Sequence, residues 1–277
     1  MQLIQQKNII LKSSREFLAD AIFPDSQEKL PLIIFVHGYK GYKDWGAWEV
    51  MGEQFAEAGF YFVKFNFSHN GTTLENPNNF VDLEGFGENN YSKELDDLEV
   101  VINHFKVQKE VDSQNVILLG HSRGGGISVI KASENQSISK LITLASVSTL
   151  DRFPKDEAFE NWKKDGVYYA ENARTKQKMP HYFQFYQDFE NNKERLHIEK
   201  ACGNLRIPAL FIHGSNDESV PVSHSENLRH WTQDSQLIII NNANHTFGAK
   251  EPWQGTQLPN DLQEAVRAGA VFAKRKD

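Results

Sequence analysis

A series of short apolar runs, each stopping at a glycine, serine or asparagine, constrains this 277-residue chain most. Leu32–Val36 stops at His37-Gly38, and Phe60–Phe67 at Ser68-His-Asn-Gly71. Asn115–Leu119 stops at Gly120, Leu141–Ala145 at Ser146, Ala209–Ile212 at His213-Gly214, and Leu237–Ile240 at Asn241. These runs are rich in β-branched and aromatic residues and show no clear polar alternation. That pattern predicts strands covered on both faces, as in a parallel sheet. Longer amphipathic stretches separate them. Trp45–Ala58 closes at Gly59, a helix stop signal, and Tyr91–Gln108 sets Leu95, Leu98, Val101, Ile102 and Phe105 at helical spacing. Ser122–Ser133, Ser223–Trp231 and Asp261–Lys274 are further predicted helices. Strand and helix in alternation predict an open α/β sheet. Leu3–Leu11 and Glu16–Phe23 alternate instead, and predict an antiparallel hairpin at its edge.

Asp151 to about Asn204 breaks the rhythm. It shows no good strand, and Phe153, Phe159, Trp162, Tyr168, Tyr169, Tyr182, Phe183, Phe185, Tyr186 and Phe189 crowd together among charges. The stretch is too long for an ordinary loop, so a mostly helical insertion resting on the sheet is expected. The expected division is therefore a core of residues 1–150 and 205–277 with an insertion at 151–204. The length suits one large domain carrying such an insertion.

Composition excludes some functions. A net charge of −7 argues against a general binder of phosphate backbones, which needs a basic face. Cys202 is the one cysteine, so neither an internal disulfide nor an all-cysteine zinc site can form. The stretch Met1–Phe17 lacks a signal-peptide core, and the apolar runs are strand-sized, far below a membrane span. A cytoplasmic location is expected, with an export route lacking a visible signal left open.

Gly120-His121-Ser122-Arg123-Gly124 fits G-x-S-x-G, directly after one predicted strand and before a predicted helix. That context distinguishes it from an ordinary glycine turn. Ser122 would sit on a sharp strand-to-helix turn with its Oγ raised above the sheet, as a nucleophile requires. His121 is adjacent on the turn and expected to point away, as a packed or hydrogen-bonded histidine. The Arg123 backbone N–H would open the helix and face a developing oxyanion.

Here the chain resembles the α/β-hydrolase superfamily, from about Leu32 to the C-terminus apart from the insertion. Gly120-His121-Ser122-Arg123-Gly124-Gly125 resembles the superfamily's G-H-S-x-G-G elbow, and His37-Gly38-Tyr39-Lys40-Gly41 its H-G-x-x-G oxyanion loop. Bacterial hydrolases and esterases with a helical lid are the nearest group. The resemblance implies a mostly parallel eight-stranded sheet with helices on both faces and a mainly helical lid after strand 6. It also implies a Ser-Asp-His triad in that chain order and an oxyanion donor at the Tyr39 N–H.

The residues supply that order. His245 lies in the loop after Leu237–Ile240, where a general base is needed, and Asp217 follows Ala209–Ile212. His213-Gly214-Ser-Asn-Asp217-Glu218-Ser-Val-Pro221 matches the family's H-G-x-x-D-x-x-V-P pattern for the acid. Alone, Asp217 would read as a loop or N-cap aspartate, with Glu218 its rival, and His245 as a surface histidine. Together Ser122, Asp217 and His245 define a candidate triad. The expected cofactor is none. The ten histidines form no H-E-x-x-H, and no phosphate-loop or dinucleotide fingerprint occurs, so no metal is expected either.

The insertion could cover the serine with an apolar pocket or simply pack on the sheet; Trp162, Tyr169, Tyr182 and Phe183 are its candidate substrate contacts. Its acids Asp151, Asp156, Glu157 and Glu160 could hold a free amine, as in peptidases of the superfamily. Trp45 and Trp48 could border the pocket or anchor the first helix. The polar loop Ser68–Gly87 is expected to be mobile and to shape the entrance. The expected activity is hydrolysis of small or medium carboxylic esters through an acyl-enzyme on Ser122. An aminopeptidase or thioesterase with the same triad, or a non-catalytic binding protein of this fold, are the alternatives. The expected partner is a small-molecule ester or amide, with no nucleic acid and no membrane, and a homodimer is left open.

Overall fold

The computed structural model describes residues 2–275. The chain begins with the hairpin β1 (Leu3–Lys12) and β2 (Glu16–Pro24), then β3 (Leu30–Val36), α1 (Trp48–Glu57) and β4 (Tyr61–Phe65). A short helix α2 (Leu83–Gly87) precedes α3 (Tyr91–Phe105), β5 (Val111–His121), α4 (Arg123–Glu134) and β6 (Ile138–Leu144). The insertion holds α5 (Asp156–Asp165), β7 (Val167–Glu171), β8 (Lys178–Tyr182), α6 (Gln184–Asn191) and α7 (Ile198–Asn204). β9 (Ala209–Gly214), α8 (Ser223–Trp231), β10 (Ser235–Ile240) and α9 (Asn260–Ala273) complete the chain.

The main sheet has eight strands in the order β1-β2-β4-β3-β5-β6-β9-β10. β1 and β2 pair antiparallel at one edge, β2 meets β4 antiparallel, and every later pairing is parallel. Both faces of the central strands are covered, which is why those strands read as apolar runs. In β3, Leu32, Ile34 and Val36 join the core under α3 and α4, while Ile33 and Phe35 join the core under α1 and α9. Burying each such side chain is worth about 1.5–3 kcal/mol. No helix among the described residues is long and apolar enough to cross a membrane.

Two expectations need correction. The insertion is not free of strands: β7 and β8 form a separate antiparallel hairpin. Val167-Tyr168-Tyr169 is a good strand former, and Gly166, at φ 76°, ends α5 directly before it. The two faces of β7 differ, with Tyr168 half-buried and Tyr169 exposed. Its last helix, α7, packs against α4, with Ile198 against Gly126. The polar loop Ser68–Gly87 is packed, not loose. Ser68, His69, Asn70, Phe80 and Phe86 are buried, and Asp82 caps α2 by accepting the Gly85 N–H at 2.8 Å. Phe80 and Phe86 cluster with Tyr42 and with Met179 of β8, so this loop forms the bed of the hairpin.

A buried ionic cluster fixes the segment after β3. Lys43 Nζ lies 2.7 Å from both Asp20 and Asp44, and Lys64 Nζ lies 3.1 Å from Asp20 and 2.7 Å from Glu49. Asp20, Asp44 and Glu49 converge closely enough to hold a cation, but the Lys43 and Lys64 ammoniums already lie among them.

Candidate active site

Ser122 joins β5 to α4 with φ 55° and ψ −120°, a conformation that L-residues seldom adopt. Two glycines permit it. A Cβ on Gly120 would lie 2.4 Å from the Gly124 carbonyl oxygen, and one on Gly124 would lie 2.3 Å from that of Val36. The end of β3 therefore passes directly over the start of α4. It brings Gly38 against Ser122, where an added Cβ would stand 2.9 Å from the serine's own.

The loops after β9 and β10 deliver the other two groups. The Ser122 hydroxyl donates to His245 Nε2 at 3.0 Å, and His245 Nδ1–H donates to Asp217 Oδ2 at 2.7 Å. Asp217 Oδ1 accepts the Ser219 and Val220 N–H groups, each at 2.8 Å, and His213 Nε2 lies 3.1 Å from Oδ2. Burial alone would raise the Asp217 carboxyl. Hydrogen bonds from His213, His245 and the Val220 N–H outweigh it and hold the group well below the usual carboxylate range. Glu218, the rival acid, is exposed. The geometry thus gathers Ser122, His245 and Asp217 in a relay able to move the serine proton to an imidazole backed by a fixed anion.

His121 makes no hydrogen bond to Ser122 and is buried between the Trp48 ring at 5.3 Å and the His245 ring at 4.9 Å. His37 braces the neighbouring loop: Nδ1–H donates to the Gly38 carbonyl at 2.9 Å, and Nε2 accepts the Phe67 N–H at 3.3 Å. Among the described residues, no hydrogen bond takes up the Tyr39 or Arg123 backbone N–H. Both flank Ser122 and remain free to meet an anion.

Two lobes of cavity, of about 440 and 540 Å³, share Tyr39, Ser122, Ser219 and His245. The first runs beneath the insertion, walled by Tyr91, Phe153, Tyr168, His181 and Phe185. Trp45, Trp48, Lys40 and Arg174 border the second. Trp48 is also buried in the core, so it serves both expected roles.

The four candidate contacts in the insertion lie outside both lobes. Trp162 is buried within the insertion, its Nε1–H donating to the His181 carbonyl at 2.7 Å. Tyr169 is exposed, and the Tyr182 hydroxyl donates outward to Glu84 at 2.5 Å. Phe183 packs on Trp162 at 5.3 Å. For Tyr169 and Tyr182 the cause is strand parity: Tyr168 opposes His181 and Tyr169 opposes Pro180, so adjacent residues face opposite ways. Tyr168 and His181 stack at 4.5 Å on the face turned inward. The period of two in Val167–Glu171 was the signal that could have selected Tyr168 over Tyr169. Asp151, Asp156, Glu157 and Glu160 are exposed, and none of them lines either lobe.

The family model for the alpha/beta hydrolase fold matches residues 31–194, and the chain belongs to that family. Among solved structures it is similar to Est1E from Butyrivibrio proteoclasticus, with TM-score 0.70 and 18% identity over 96% of this chain and 97% of that one. The esterase domain of a Rhodothermus marinus protein gives TM-score 0.64 and 16% identity over 99% and 97%. The acylaminoacyl peptidase of Pyrococcus horikoshii gives TM-score 0.68 and 17% identity over all of this chain and 42% of that one. At these identities the likeness is one of fold. No curated protein matches the chain.

Proposed function

We propose that this chain is a serine hydrolase that cleaves small or medium carboxylic esters through an acyl-enzyme on Ser122. The observation that carries the reading is the continuous relay from Ser122 Oγ through His245 to Asp217, at 3.0 and 2.7 Å. His245 takes the Ser122 proton as Oγ attacks the acyl carbon, and Asp217 fixes the tautomer and stabilises the imidazolium. The Tyr39 and Arg123 N–H groups receive the oxyanion, and losing one such donor typically costs about 2.7–4 kcal/mol of transition-state stabilisation. His245 then returns its proton to the leaving alcohol, and water repeats the sequence to free the acid. The fold shared with Est1E and the Rhodothermus marinus esterase domain supports this class. The peptidase alternative loses its stated support, because the acids meant to hold a free amine lie outside both lobes.

The test is labelling with a serine-reactive fluorophosphonate. The native protein should label and Ser122→Ala should not. Absence of labelling, or equal labelling of the two, would sink the reading in favour of a non-catalytic binding protein. A panel of p-nitrophenyl esters of graded acyl length, with acyl thioesters and aminoacyl amides beside them, then separates esterase from thioesterase and peptidase.

A further inference from the structure

The lobe beneath the insertion holds an asymmetry of charge. Arg123 and Arg152 both line it, and no aspartate or glutamate does. Arg123 is the inner of the two, with its side chain 15% exposed. Its guanidinium lies over the Tyr39 ring at 4.3 Å and within 5.6 Å of the Tyr91 and Phe185 rings, so it is clamped in place. Yet it makes one hydrogen bond only, from Nη1 to Glu94 Oε1 at 3.0 Å. Glu94 Oε1 also accepts from Asn89 at 2.7 Å, while Glu94 Oε2 is buried without a partner. Arginine–carboxylate pairs frequently close with two parallel N–H bonds. Here it meets one oxygen, and its remaining N–H groups have no acceptor among the described residues.

The other polar groups around it are already engaged. The Tyr39 hydroxyl donates to His181 Nε2 at 2.9 Å, and His181 Nδ1–H donates to the Met179 carbonyl at 3.2 Å. The Tyr91 hydroxyl donates to the Leu150 carbonyl at 2.9 Å. Arg152 stands at the mouth, exposed, with Nη2 donating to the Ser219 carbonyl at 3.3 Å. Glu94 offsets the Arg123 charge from behind, and Arg152 forms no ion pair among the described residues.

We infer that this lobe is an anion-recognising subsite, and that the preferred ester carries a carboxylate on the arm lying against Arg123. The proposal rests on the serine hydrolase reading for its reaction, but the subsite itself is a matter of binding. The aromatic walls take an apolar spacer between the ester carbonyl and the carboxylate, and the unused edge of the Arg123 fork takes the carboxylate oxygens.

Binding decides it without reference to turnover. Calorimetric titration of the native protein with 5-phenylpentanoate and with 5-phenylpentanamide should show the acid binding about tenfold tighter or more, an advantage that shrinks as salt is raised. Arg123→Gln should abolish the difference, and Arg152→Gln should reduce it. Equal binding of acid and amide by the native protein, or binding of neither, overturns the subsite whether or not any variant folds. A folded Arg123→Gln protein that keeps the preference overturns it too. Turnover gives the second readout. Mono-p-nitrophenyl glutarate against p-nitrophenyl valerate, and 4-acetoxybenzoate against phenyl acetate, place the charge on the acyl and the alcohol arm. A kcat/KM advantage of about tenfold for the charged member of either pair is expected; no advantage in both overturns the proposed substrate class. Failure of Ser122 to label with the phosphonate strikes the reaction instead, and leaves the titration to judge the subsite.

Discussion

The Nε2–H of His121 donates to the backbone carbonyl of His245 at 2.9 Å. The residue beside the serine thus holds the loop that carries the opposing imidazole. Burial, aided by the neighbouring His245, pushes the His121 imidazole down to about 3, so it stays neutral at ordinary pH and keeps one proton for this bond. His121→Ala should lower kcat by roughly tenfold to a hundredfold with a smaller change in KM, because angstrom-scale misplacement of the base is costly. Phosphonate labelling should slow in parallel. Unchanged kinetics would remove His121 from this positioning role.

Asp217 sits in a ring of donors that an amide cannot fully satisfy. Asp217→Asn should present an N–H where His245 Nδ1–H now donates, forcing the wrong tautomer, and kcat should fall by about 10³–10⁴-fold. Circular dichroism and thermal melting of the variant separate this loss from unfolding.

Gly124 packs with no room for a methyl group under the carbonyls of Val36 and His37, at 2.3 and 2.4 Å from the Cβ that alanine would add. Both neighbours are main chain, so the strain cannot be relieved by a rotamer change. Gly124→Ala should destabilise the fold by about 1–3 kcal/mol or more, read as a shift of the urea midpoint.

Asp97 is buried under the site, accepting from the Ser13 hydroxyl and from the Ser68 N–H at 2.7 Å. Burial, with a smaller contribution from Glu94, raises its carboxyl to about 6 despite these bonds. The folded chain therefore binds this proton more tightly than the unfolded chain. The contribution is fully present below the unfolded value of 3.8 and is lost as pH rises through about 6. The loss amounts to about 3 kcal/mol. An amide can accept from Ser68 and donate to Ser13, so Asp97→Asn should fold. The stability of the variant relative to native should rise by most of that amount, about 2 kcal/mol, between pH 4 and pH 7. A constant difference across that range would refute the account.

The sheet was legible because the inner stretches of β3, β5, β6 and β9, such as Leu32–Val36, Val116–Leu119 and Ala209–Ile212, are buried and apolar. Their ends were legible too, since a turn after a buried strand must use residues such as Gly38, Gly120 and Gly214. Ser122, Asp217 and His245 could be placed by asking which strand ends face the same way. The lining of the inner lobe could not be placed in that manner. Tyr91 comes from α3, Tyr168 and His181 from one face of an unforeseen hairpin, and Phe185 from α6. Each is one aromatic residue among many, and only tertiary packing distinguishes it from its neighbour. The order of the loop Ser68–Gly87 was hidden for a related reason. It is tied down by hydrogen bonds to residues outside it, as Thr72 and the Pro77 carbonyl are by the buried Asn66 amide.

Tyr39 belongs to two structures at once. Its main chain lies in the turn that abuts the serine, while its hydroxyl reaches across the lobe to His181 in the hairpin. That same ring lies under the Arg123 guanidinium at 4.3 Å, so the phenol ties the hairpin to the residue that clamps the cation. The hairpin and the inner cation are thereby joined through one side chain. Tyr39→Phe, which keeps the ring and the main chain but cuts the tether, is the variant that separates admission of substrate from its reaction.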